Sequence, residues 1–211
     1  MTAATVQTGT RVRYSGDMAN HPGRGAVIGM QGHHVIVALE DGRKLHPFAQ
    51  QIEPASASRA RFSVIEGELA TTEEIAALIT GCAIAKAQAE TARTAAAEAF
   101  TAEVERLKAD SQYSHLTQGQ GPGVAAKNIR AELRKAYPKV RFSVRKSSYD
   151  AINVTIPKGA GIGCKEIEKA VTDKYEAGHF NGMEDIYEYS RTPWSEVFGS
   201  VKYVFLREDN E

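Results

Sequence analysis

From Thr72 to Asp110 the sequence contains no proline and a single glycine, Gly81, and alanine dominates the run. Proline is the residue a helix interior tolerates least and alanine the one it favours most, so the stretch predicts one very long helix. Its start is marked. Thr71 is followed three residues later by Glu74, the spacing of a capping box, and Glu73 and Glu74 both suit the positive end of the helix dipole. Ile75, Ile79, Cys82, Ala89, Ala96, Phe100 and Leu107 recur near a heptad spacing. Roughly 37 residues rising 1.5 Å each give a rod of about 55 Å, too long to bury its stripe against one small domain. Three outcomes satisfy the stripe: a break near Gly81, a fold back, or a homodimer paired through the alanine face.

This helix separates two regions of different pattern. From Thr8 to Pro54 short apolar runs such as "TRVRY", "RGAVIGM" and "HHVIVALEDG" alternate with Gly, Pro and Asp, which predicts an antiparallel barrel or meander of short strands. Asp41 and Gly42 tolerate the positive φ of a tight primed hairpin turn. The stretch "HPGRGAVIGMQGHHVIVALEDGR" resembles KOW and SH3-like barrels, which implies a module that binds nucleic acid or protein.

After a polar, glycine-rich segment, "DSQYSHLTQGQGPG", read as a linker or hinge, the pattern changes again. Val124 to Ala136 reads as a helix with Ile129 and Leu133 on one stripe, ended by Pro138. "KVRFSVRK" alternates strictly, with Val140, Phe142 and Val144 on one face and Arg141, Ser143 and Arg145 on the other; "DAINVTIP" alternates likewise. A second helix fits Cys164 to Ala177, and Val201 to Leu206 closes as a strand. The predicted fold class is α+β and multidomain: an SH3-like β-barrel over 1–60, a connector and long helix over 61–118, and over 119–211 a two-layer α/β sandwich. Its antiparallel sheet leaves one face open.

Formal charge sums to zero, yet it is unevenly distributed. Residues 119–160 hold nine Lys/Arg against two Asp/Glu, a net of +7, between acidic segments of −4 (61–118) and −5 (161–211). Local fields, not the total, decide what a surface attracts, so this block is the candidate for polyanion binding. Lys127, Arg130 and Arg134 fall on the helix face opposite Ile129 and Leu133. Arg141 and Arg145 point to the open sheet face, with Tyr149 near enough to stack on a base. The two sets lie on different sides of the module, so a phosphate-binding surface uses one or the other. No run reaches the roughly 20 apolar residues of a membrane helix and the first residues lack a secretory apolar core, which predicts a cytoplasmic protein and no membrane partner.

"NIRAELRKAYPKVRFSVRKSSYDAINVTI", followed by a helix and "GHFNGMEDIYEY", resembles the large polyvalent protein-associated domains of phages and conjugative plasmids. The likeness rests on Tyr137–Pro138 at a helix end, the strand Arg141 to Arg145, and the element Phe180 to Asp185. It departs after the second strand, where Ile156, Pro157 and "KGAGIGC" stand in place of that family's tryptophan and glycine-proline. The resemblance implies a mobile-element protein acting in a bacterial host cell and brings no catalytic residues.

Enzymatic chemistry finds little support. The histidines at 21, 33, 34, 46, 115 and 179 show no ligand spacing, so neither a metal nor another cofactor is predicted. "GAGIGCKE", Gly159 to Glu166, has the glycine content of a phosphate loop before a helix N-terminus but lacks the Gly-Lys-Ser/Thr ending, so a turn is the simpler reading. Cys164 has no histidine near it in sequence, and both cysteines read as small buried residues. "FNGMEDIYEY" reads as a tight turn feeding an edge strand, and Trp194 as a seal on the C-terminal core. The function predicted is a non-enzymatic mobile-element accessory protein that binds DNA or RNA through its basic surfaces; the alternative is an anti-defence inhibitor of a host protein complex.

Overall fold

The computed structural model describes residues 6–57, 60–147, 150–181 and 186–209, and divides into two compact units, Met1–Ala95 and Ala96–Glu211.

In the first unit β1 (Arg11–Tyr14), β2 (Gly23–Gln31), β3 (His34–Leu39), β4 (Lys44–Leu45), β5 (Ile52–Glu53) and β6 (Phe62–Val64) form one curled sheet in the order β4-β3-β2-β1-β6-β5. All neighbours are antiparallel except β5 and β6. The concave side buries Val12, Tyr14, Val27, Val35, Val37, Leu39 and Phe62, with the Tyr14 and Phe62 rings stacked at 5.0 Å. Gly25 lets β2 approach β3: a Cβ there would lie 1.9 Å from the Ala38 carbonyl oxygen. At the predicted hairpin only Gly42 has positive φ, +85°, and its N–H donates to the Leu39 carbonyl. The turn is therefore a three-residue loop with one left-handed position, not the two-residue primed turn that Asp41-Gly42 suggests.

The long helix α1 (Thr72–Ala109) is present at the predicted bounds. The capping box is formed: Thr71 N–H donates to Glu74 Oε2 (2.7 Å) and Glu74 N–H to Thr71 Oγ1 (3.2 Å). The helix runs through Gly81 without a break, which removes two of the three outcomes the sequence allowed. Its first turns cover the convex side of the sheet, where Ala26 and Ala38 are buried, Arg11 pairs with Glu74 at 2.7 Å and the Cys82 thiol lies 3.6 Å from the Arg43 carbonyl. Burial pushes that thiol's pKa up. Positions 86–99 are exposed on every side, so the heptad stripe is satisfied at its two ends and not at Ala89 or Ala96.

The second unit contains α2 (Pro122–Ala136), β7 (Ser143–Ser147), β8 (Ala151–Ile156), α3 (Cys164–Tyr175), the hairpin of β9 (Gly178–Asn181) and β10 (Ile186–Tyr189), α4 (Pro193–Phe198) and β11 (Tyr203–Glu208). Its main sheet has the order β11-β8-β7. The antiparallel sheet predicted from alternation holds for β7 and β8, but β11 lies parallel to β8. Between β8 and β11 the chain passes through α3 and α4, and such a helical crossover returns the chain in the same direction. One core joins Val104 and Leu107 of α1 to Ile129, Leu133, Ile152, Val154, Ile167, Val171 and Phe198.

The glycine-rich stretch before α2 is packed rather than a free hinge. Asn128, fully buried, accepts from Thr117 N–H (2.8 Å) and donates to the carbonyls of Thr117 (2.8 Å) and Phe198 (2.9 Å). Trp194 seals the core as predicted, against Tyr113 (5.1 Å) and Phe198 (4.7 Å).

Candidate nucleic-acid interface

Alternation fixes which side chains of the three-stranded sheet meet the core and which do not. Val144, Ile152, Val154, Val204 and Leu206 turn inward. Pairing then sets three rows across the outward face: Ser147–Ala151–Tyr203, Arg145–Asn153–Phe205 and Ser143–Thr155–Arg207. Along β11 the sequence Tyr-Val-Phe-Leu-Arg puts two aromatics and a cation on this one face.

The Tyr203 and Phe205 rings lie nearly parallel, 5.8 Å apart with 13° between their planes, and Phe205 is 53% exposed. Arg145 stands in the Phe205 row at the far strand, exposed and with no ion-pair partner among the described residues. Arg207 is oriented by donating from Nε to Thr155 Oγ1 at 3.0 Å, which leaves its terminal nitrogens toward solvent for an anion. Lys202 lies 5.4 Å from the Tyr203 ring centroid. The strand that carries these groups is anchored at its start, where the Asp150 carbonyl accepts from the N–H groups of Lys202 (2.8 Å) and Tyr203 (3.3 Å). A polar sheet face with an exposed aromatic ring, Phe205, near two guanidinium groups can stack a base and pair its phosphates.

The predicted site residues are redistributed. Arg145 occupies the open face as predicted. Arg141 does not: β7 begins only at Ser143, opposite Thr155, and by the same register Arg141 would face Pro157, which has no N–H to continue the ladder. Arg141 instead lines a cavity of about 320 Å³ together with Arg130 and Arg134 of α2, so the predicted separation of a helix set from a sheet set fails at this residue. Lys127 is exposed on α2 and does not line that cavity. Tyr149 and residues 182–185 of the "FNGMEDIYEY" element lie outside the described residues. Sequence reasoning missed Tyr203, Phe205 and Arg207. Their period-two spacing was visible, but only the pairing of β11 with β8 puts them beside Arg145.

Of the two acids within the basic block, Glu132 is held by Lys174 at 2.7 Å and Asp150 accepts from the Tyr189 hydroxyl at 3.3 Å; Glu196 of the following acidic segment is held by Arg191 at 2.9 Å. At the "GAGIGCKE" loop, by contrast, Glu208 and Asp209 share a cavity of about 400 Å³ with Gly159 to Gly163, which opposes an anion at the start of α3. Among the described residues no three His, Cys, Asp or Glu side chains converge as metal ligands, and no helix is long and apolar enough to cross a membrane.

The fold and face define a mixed α+β module with one open, basic, aromatic-bearing sheet surface. Residues 120–210 match the family model of large polyvalent protein associated domain 29, the phage-associated family that the C-terminal sequence blocks resemble. No curated protein and no solved structure matches the chain.

Proposed function

We propose that this is a non-enzymatic accessory protein of a phage or another mobile element, and that it binds single-stranded DNA or RNA on the open face of its C-terminal sheet. The observation that carries the reading is Phe205, exposed and stacked on the half-buried Tyr203, with Arg145 in its own row and Arg207 in the next. Leaving a phenylalanine in water costs apolar burial that an inward-facing position would have recovered, and base stacking recovers about 1–3 kcal/mol per base. The N-terminal sheet, read as an SH3-like module, adds a second contact through Arg13 and Arg24, exposed on its convex side. A salt-titrated anisotropy assay with labelled single strands tests this. Binding should weaken as salt rises, by about 0.7 in log affinity per log salt for each phosphate engaged, and Phe205→Ala should lower affinity roughly 5- to 150-fold. Absence of binding at low salt, or wild-type affinity in Phe205→Ala, sinks the reading.

A second reading is favoured by α1, where Ile79 and Ile84 are 44% and 53% exposed beside the exposed positions 86–99. A partner seated there, either a second copy of this chain in a homodimer or a host complex blocked by an anti-defence inhibitor, would cover them. Light scattering on wild type and Ile84→Glu separates these: a dimer mass lost in the variant supports pairing. A monomer in both cases leaves only the host complex.

A further inference from the structure

The cavity at the edge of β7 does not belong to the open face and has its own chemistry. Arg130 and Arg134 sit four residues apart on α2, a spacing at which like charges repel, and Arg141 brings a third guanidinium to the same cavity of about 320 Å³. No carboxylate pairs with any of the three among the described residues. Arg130 is fixed by donating from Nη2 to the Val144 carbonyl on the outer edge of β7, and Phe142, Val140 and Pro138 make the apolar side of the wall. Three exposed guanidinium groups with no carboxylate among the residues that line the cavity concentrate positive charge and forked donors at one place, which suits an anion.

The charge count selects the anion. An internal phosphodiester carries one negative charge, whereas a phosphate monoester carries close to two at neutral pH and three oxygens that accept forked guanidinium hydrogen bonds. The geometry points to a phosphate-monoester pocket at Arg130, Arg134 and Arg141, which takes the phosphorylated end of a strand whose bases lie on the open face. Arg141 is two residues from Ser143, which begins the outer row Ser143–Thr155–Arg207, so one strand can reach both. The strand-end assignment rests on the nucleic-acid reading above; the monoester pocket itself does not.

The test compares wild type with Arg134→Gln/Arg141→Gln, both exposed positions, with thermal melting as the check on folding. Titrations use 5′-phosphorylated, 3′-phosphorylated and unphosphorylated oligonucleotides of one sequence, and separately AMP and inorganic phosphate. The expected result is at least a tenfold preference for one phosphorylated end, absent in the double variant. Binding of AMP and inorganic phosphate that the double variant loses, with no oligonucleotide bound, keeps the pocket, makes a free mononucleotide its ligand and removes the open-face reading alone. Equal affinity for all three oligonucleotides with no AMP or phosphate bound, or a double variant that binds monoesters like wild type, overturns the pocket.

Discussion

The two sheets dispose of their second face in opposite ways. The six-stranded sheet curls around Tyr14, Val37 and Leu39 and also buries Ala26 and Ala38 on its convex side beneath the first turns of α1. The three-stranded sheet buries its inward face and, on the outward one, Ala151 at one end, but leaves Phe205, Arg145 and Arg207 in solvent. Both are built from strands of similar alternation, so an exposed face is not a consequence of strand pattern. In the first unit small residues invite a covering helix. In the second, aromatic and cationic side chains stand on the open part of the face, the composition on which the proposed binding rests.

The sharpest way to break the comparison sets one residue from each face of β8 and β11 side by side. Ile152→Ala, in the core, should destabilise by about 2–5 kcal/mol, while Phe205→Ala, on the open face, should change stability by no more than about 0.5 kcal/mol. Chemical denaturation of both variants measures the difference, and a large loss in Phe205→Ala would mean the face is covered. Next in size is Gly25→Ala. A methyl group there meets the Ala38 carbonyl at 1.9 Å, so the first sheet must shift, at a cost of about 1–3 kcal/mol or more; a melting temperature equal to wild type would contradict the close approach of β2 and β3. The smallest effect concerns Glu74, whose carboxyl is held below its ordinary value of 4.5 by the hydrogen bond from Arg11 and that from the Thr71 N–H. A folded-state pKa below the unfolded one stabilises above the unfolded value and is lost as pH falls through the folded one. Glu74→Gln should therefore melt lower than wild type at neutral pH, and the gap should close as pH falls from 4.5 through the lowered folded-state value.

Much of the local structure was legible. The α1 bounds, its capping box, the core stripe Ile129–Leu133 and the inward set of β8 all follow from periodicity, because propensity, capping and amphipathicity act over a few residues. The glycine-rich stretch before α2 was misread for the opposite reason: composition suggests a flexible linker, yet a buried amide at Asn128, distant in sequence from the Phe198 carbonyl it bonds, pins it. Arg145 was legible as an open-face cation. Arg141 was not, since the place where a ladder stops depends on Pro157, the residue just after the partner strand.

By itself the sequence determined the long helix, the two alternating β regions, the concentration of +7 between acidic flanks and the resemblance of the C-terminal region to a phage-associated domain. Only the tertiary structure decided that β11 lies parallel to β8 rather than completing an antiparallel sheet, and with it the meeting of Tyr203, Phe205 and Arg207 with Arg145. Only the tertiary structure, too, gathered Arg130, Arg134 and Arg141 around one cavity. The physical reason is the same in both cases. Which strands become neighbours, and where a ladder ends, is set by crossover connections and core packing between residues far apart in the chain, and no period within a single segment records them.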